Sequence, residues 1–296
     1  MNIFKKRETL AQNIAFMAIM AAINVVFVLM TTFVPFLLFL LVFLLPLSCT
    51  LVVLTCKKKY FPIYAFATIG LCLIVTIWNI SDTLFYIIPS IITGFIFALF
   101  IEKRIPCSWS IITATFVQFG LSYALLPLVK LITQVDLLDT FATLFGINEY
   151  EFKSYVEFFG VFFVSLLQEI VSYLFIQMGL KKLNYSTESK DNRWLLLIGL
   201  FFNLFATLLC VFICPVIVFV FLTSSLYFGV FSIAYLIGQK RKINYVLMVI
   251  LFLISIFVFA GFYQYIQKPF GLLLSEIYLY ALGIIVLINN CLKNKK

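Results

Sequence analysis

Residues 162–180 read "FFVSLLQEIVSYLFIQMGL", and the reading of this stretch decides what kind of molecule the chain is. A helix needs about 20 mostly apolar residues to cross a hydrocarbon core of about 30 Å. The stretch has that length, with one carboxylate, Glu169, in its middle. At helical spacing Ser165, Glu169 and Ser172 share one face, with Gln168 and Tyr173 beside them, while Leu167, Val171, Leu174 and Phe175 lie roughly opposite. An ionised, unpaired carboxylate at mid-depth costs about 3 kcal/mol or more. Glu169 is therefore expected to face protein, and to be paired, protonated or hydrated.

Composition settles that lipid is the solvent. Of the 296 residues 64% are hydrophobic and only 11% charged, against roughly 25% charged in soluble domains. So few charges cannot cover a globular surface, and the fold class expected is an all-α, polytopic transmembrane helical bundle. The chain has no histidine, which excludes imidazole general bases, His-zinc membrane proteases and Ser-His hydrolases. The seven cysteines sit mostly within apolar runs and read as small buried hydrophobes. Cys210 and Cys214 are one helical turn apart but have no further ligands near them in sequence, so no metal and no cofactor are expected. The net charge of +9 lies in short clusters between apolar runs, the pattern of membrane topology rather than of nucleic-acid binding.

Measured against the length of a span, the sequence holds about ten, at 11–31, 36–56, 61–79, 83–101, 109–132, 157–180, 194–213, 217–238, 244–264 and 271–292. Two breaks are placed by proline: one at Pro35, one at Cys214–Pro215. With the N-terminus inside and the spans alternating, every Lys and Arg except Lys130, Lys153 and Lys268 falls on the inner side. This bias predicts both termini in the cytoplasm. Trp78, Trp109 and Trp194 fall at span ends, where interfacial anchoring accounts for them. Three segments follow: a six-helix part over 1–180, a cytoplasmic loop at 181–193, and a four-helix part over 194–296.

The longest outer segment, "TQVDLLDTFATLFGINEYEFKSY" (133–155), carries Asp136, Asp139, Glu149 and Glu151. Its apolar residues recur at helical spacing, with Asp136 as a cap and Gly146 as a stop, so a short amphipathic helix is expected there. It reads either as a lid over an outward site or as a simple interfacial connector. Inside the spans the candidate substrate- or ion-facing residues are Glu169, Ser165 and Ser172, with Asn79 and Asp82 at an outer turn and Lys130 near the outer end of the fifth span. Lys130, Asn203 and Glu276 are the candidate partners of Glu169; a structural ion pair or hydrogen bond holding helices together is the competing account of that residue. On the first span "NIAFMAIMAAINVV" puts Ala15, Ala18 and Ala22 on one face, and Ala18-x-x-x-Ala22 is a small-xxx-small pair that allows close helix approach.

A basic N-terminus leading into an Ala-rich first helix, then "FLLPLSCTLVVLTCKKKYFPIYAFATIGL" and "YIIPSIITGFIFALFIEKR", resembles the substrate-binding components of energy-coupling-factor (ECF) vitamin transporters. In that family an Ala-x-x-x-Ala motif on the first helix docks a transmembrane coupling subunit, and Ala18 and Ala22 match it. The whole-chain layout, including "TSSLYFGVFSIAYLIGQKRKINYVLMVILFL", is similar to the YybS-like family of bacterial membrane proteins, whose function is not established. The ECF components have six helices, so four carboxy-terminal spans are extra here, and no vitamin-specific motif is present. The resemblance implies a multi-pass protein of the bacterial plasma membrane that binds a small solute from outside. It also implies separate ATPase partners, and the chain has no G-x-x-x-x-G-K-[ST] loop. A non-transporting scaffold or assembly factor is the alternative. No cluster of polar catalytic residues suggests an enzyme, and no internal repeat suggests a secondary transporter.

Overall fold

The computed structural model describes residues 6–34, 37–77, 80, 83–144, 153–186, 193–238, 246, 249, 250, 253 and 277–293. Among them all regular structure is helical. The α-helices are α1 (Leu10–Phe33), α2 (Leu38–Thr55), α3 (Phe61–Val75), α4 (Ile88–Glu102) and α5 (Cys107–Thr133). They continue as α6 (Leu137–Leu144), α7 (Lys153–Lys182), α8 (Arg193–Ile213), α9 (Val218–Gly238) and α10 (Ile277–Lys293). Six segments are long and apolar enough to cross a membrane: Leu10–Thr31, Lys58–Val75, Cys107–Thr133, Lys153–Lys182, Trp194–Ile213 and Pro215–Ile237. Val42–Thr55 and Ile88–Glu102 are shorter apolar helices. Large side chains such as Phe33, Phe66, Leu131 and Ile213 are largely exposed, a surface that lipid solvates more cheaply than water. The protein is a multi-pass membrane protein.

The chain divides into two compact units. One comprises 1–149 and 164–190, the other 150–163 and 191–296, so α7 gives its first turns to the second unit and the rest to the first.

In the first unit α2 packs along α4, α1 lies against α2 and α3, and α4 lies against α5. The sequence explains the closest approach. Gly94 of α4 meets α2 at Pro46 and Cys49, and a Cβ there would sit 2.7 Å from both the Pro46 carbonyl oxygen and the Cys49 Cβ. Thr50 completes the seam: its hydroxyl lies 2.7 Å from the Pro46 carbonyl and 3.0 Å from that of Gly94. The single hydroxyl proton can serve either carbonyl in turn. α7 joins through Phe175, stacked on Phe43 with ring centroids 5.7 Å apart, and Tyr173, tilted on Phe97 at 5.3 Å. Phe175 thus packs on α2 rather than facing lipid with Leu167 and Leu174, which are exposed.

The buried face of α1 runs Asn13, Met17, Ala21, Asn24, Val28 and Thr31, an i, i+4, i+3 stripe. The helix starts in a capping box, where Thr9 accepts from the Gln12 amide and the Gln12 side chain accepts from the Thr9 amide. Its start is tied to the α2–α3 turn: the Lys57 amide donates to the Asn13 side chain at 2.8 Å, and the Arg7 amide to the Thr55 carbonyl at 3.1 Å. Arg7 lies over the Phe16 ring, and Lys58 and Lys6 both pair with Glu102 at the end of α4.

In the second unit α8 and α9 pack together and α10 packs on both. The break between α8 and α9 falls at Cys214, followed by a 3₁₀ turn at Pro215–Ile217, as the proline predicts. Gly199, Gly229 and Gly283 let Phe228, Leu279 and the α8 residues Leu200 and Phe201 approach the facing backbones. Tyr155 and Phe159, from the start of α7, lie edge-on to Phe219.

Candidate functional site

Two groups of buried polar side chains occur in the first unit, and they differ in how well they are satisfied. In the first, Asn24 of α1 donates to the Tyr64 hydroxyl of α3 at 2.8 Å, and the Ser48 hydroxyl of α2 lies 2.7 Å from the Asn24 carbonyl oxygen. Ser48 also reaches the Leu45 carbonyl at 2.8 Å, and the Cys49 sulfur stands 3.7 Å from the Tyr64 oxygen. All of these side chains are buried, and the amide and both hydroxyls have partners. This cluster ties three helices by their side chains. The sequence reading missed it, although Asn24 and Tyr64 were the signal: a polar side chain on the face that Met17, Ala21 and Val28 also occupy.

The second group surrounds Glu169. Its side chain is fully enclosed, and neither carboxylate oxygen has a hydrogen-bond partner. Ser165 and Ser172, on the same face of α7, are also buried, and the Ser172 hydroxyl too lacks a partner. Thr93 of α4 is the hydroxyl that faces the Glu169 carboxyl group, without a well-formed hydrogen bond to it, and it also reaches its own helix at the Ser90 carbonyl, 3.4 Å away. Ser90, one turn earlier on α4, is buried with its hydroxyl unpartnered, as is the Gln118 side-chain oxygen on α5. The contacts of Tyr173 with Phe97 on α4 and with Ser110 on α5 place these helices on the inner side of α7. Among the described residues Glu169 is the single acidic or basic residue that is buried. A lone carboxylate in such surroundings, if ionised, is complete only when a positive charge joins it.

The other expected site residues lie elsewhere. Lys130 is exposed and pairs with Asp136 at 2.7 Å, not with Glu169. Asp136 caps α6, accepting from the amides of Leu138 and Asp139 at 3.1 and 3.2 Å. The Lys130 hydrogen bond, with the Asp139 amide second, holds the Asp136 carboxyl below its ordinary value. Asn203 belongs to the second unit and donates to the Gly199 carbonyl of its own helix at 2.7 Å. Asn79, Asp82, Glu276, Trp78, Gly146, Glu149, Glu151 and the span expected at 244–264, save for a few isolated residues, lie outside the described residues.

Ala15, Ala18 and Ala22 are exposed together on the outer face of α1, while Ala21 is the alanine that packs inward. No group of three or more His, Cys, Asp or Glu side chains able to hold a metal occurs among the described residues. Cys49, Cys56 and Cys72 are buried, and Cys210 and Cys214 half-buried, all as free thiols. No family model, no curated protein and no solved structure matches the chain.

Proposed function

We propose that the chain is the small-solute-binding subunit of a membrane transport system, with its ligand held in the first unit around Glu169. The observation that carries this reading is the pair of unpartnered, fully enclosed Glu169 oxygens. Helix-stapling groups behave differently, as Asn24, Ser48 and Tyr64 demonstrate by bonding one another across three helices. A carboxylate kept at the cost of desolvation and left without a partner is a group awaiting one.

The finer features follow from the sequence. The chain is read as a ten-span protein of the bacterial plasma membrane, similar in layout to the YybS-like proteins, with both termini cytoplasmic. Beyond the six long spans, Val42–Thr55, Ile88–Glu102 and Ile277–Lys293 are further apolar helices among the described residues, and the span expected at 244–264 would be the tenth. On this reading α1 to α5, the short α6 as a connector or lid, and α7 are the counterparts of the helices of an ECF substrate-binding component. In this reading the chain is not an enzyme and does not hydrolyse ATP. A transmembrane coupling subunit with its ATPases would dock on the α1 face that carries Ala15, Ala18 and Ala22, whose exposure leaves room for a closely packed helix.

A scaffold or assembly factor is the competing reading, and the satisfied Asn24 cluster is the feature that suits it. Purification from native membranes in mild detergent separates the two. Mass spectrometry of the wild type, Glu169→Gln and Ala18→Leu/Ala22→Leu proteins then looks for bound solute and for bound partners. A solute that leaves with Glu169→Gln, and a coupling protein with ATPases that leaves with the alanine pair, are the expected results. Partners unrelated to transport, unchanged in both variants and with no solute, would establish the scaffold.

A further inference from the structure

We infer that the Glu169 site takes one monovalent cation, either a metal ion or the ammonium group of a solute. This deepens the proposed function and rests on it. Charge sets the valence: Glu169 is the one acidic or basic side chain buried among the described residues, so a single positive charge neutralises the site. A divalent ion would leave a net charge enclosed, and an anion would meet a carboxylate with no buried basic residue among the described ones to offset it; both are disfavoured by desolvation.

The donor set fixes the chemistry further. Ser165 and Ser172 share the buried face of α7 that carries the carboxylate, and Thr93 of α4 faces it, with Ser90 one turn earlier on that helix. All four side chains offer neutral oxygens, with no imidazole in the chain and no cluster of metal-ligating side chains among the described residues. Hard oxygen donors with one negative charge suit alkali ions and ammonium groups rather than soft transition metals. The unpartnered oxygens of Glu169 and the unpartnered hydroxyls of Ser172 and Ser90 are what such an ion would join. The hydroxyls are flexible in direction, so each can turn its lone pairs inward when a cation arrives.

The test is thermal unfolding of the purified full chain in detergent at constant ionic strength. N-methylglucamine chloride serves as background and is replaced stepwise by sodium, lithium, potassium or methylammonium chloride. One of these probes is expected to raise the midpoint saturably, by about 5 °C well above its dissociation constant. The rise should vanish in Glu169→Gln and need several-fold more cation in Ser172→Ala. If Glu169→Gln does not fold, Ser172→Ala and Thr93→Ala decide by their concentration dependence. A metal-ion response identifies the first source of charge and a methylammonium response the second. A midpoint that no probe moves saturably, or that moves alike in wild type and variants, overturns the inference and leaves a carboxyl that simply carries its own proton. A Glu169-dependent solute without positive charge would overturn it too, while leaving the proposed function standing.

Discussion

Gly94 marks where a single methyl group would decide how closely two helices pack. An added Cβ there would come 2.7 Å from the Pro46 carbonyl oxygen and the Cys49 Cβ, both on the body of α2 rather than at a flexible tip. Gly94→Ala is expected to cost about 1–3 kcal/mol by overpacking and to lower the unfolding midpoint in detergent. Gly70→Ala on α3, where a Cβ meets nothing, should be near neutral, and equal midpoints for the two would refute the close-packed seam. At this scale the sequence was legible where polarity contradicts surroundings. Glu169 stood out because it interrupts an apolar run, and Ser165 and Ser172 followed from spacing alone. Gly94 did not announce its role, because close approach depends on which helix lies opposite. Lys130 misled as a partner for Glu169, since its nearest carboxylate, Asp136, is six positions along the chain, and local pairs form before distant ones are available.

Elements were read with mixed success, for reasons that differ from one to the next. α1 ends at Phe33 and α2 begins at Leu38, on either side of the break expected at Pro35, itself outside the described residues; α8 ends at Ile213 and α9 begins at Val218 around Pro215, where proline cannot continue the hydrogen-bond ladder. Yet Pro46 sits inside α2 and Pro127 inside α5 without ending either helix, so tertiary packing overrides the local rule there. The π-helical turn Thr83–Ile87 before α4 left no periodic trace in the sequence. For α6, Asp136 was legible as a cap, and its titration tests the assignment. Its carboxyl value lies below the ordinary 3.8, first because Lys130 bonds to it. A carboxyl lowered in the folded state contributes stability above its unfolded value, and that contribution is lost as pH falls through the lowered one. NMR titration should therefore find the Asp136 midpoint below that of an ordinary aspartate and shifted back upward in Lys130→Ala, with α6 amides exchanging faster in Asp136→Ala at neutral pH. An Asp136 that titrates normally in the wild type would remove the ion pair.

For the whole molecule, the charge pattern predicts sidedness, and it can be checked without knowing any ligand. Reporter proteins fused after Ser186 and at the carboxy terminus should both read as cytoplasmic, and one placed after Gln134 as external. Opposite readings at the first two positions would give an odd number of spans in the second half and end the ten-span assignment. Composition made the membrane class legible from the start, since 11% charged residues leave no other solvent. Which helices touch was not legible, because lipid-facing and protein-facing apolar residues look alike in sequence. The Asn24 cluster carries a last consequence, one of time. Asn24 meets Ser48 after 24 further residues and Tyr64 after 40. At about 5–20 residues per second of synthesis, the first helix waits roughly 2–8 s for its second partner. The first helix is thus synthesised with its amide only half satisfied, and the bond to Tyr64 can form only once the third helix has emerged.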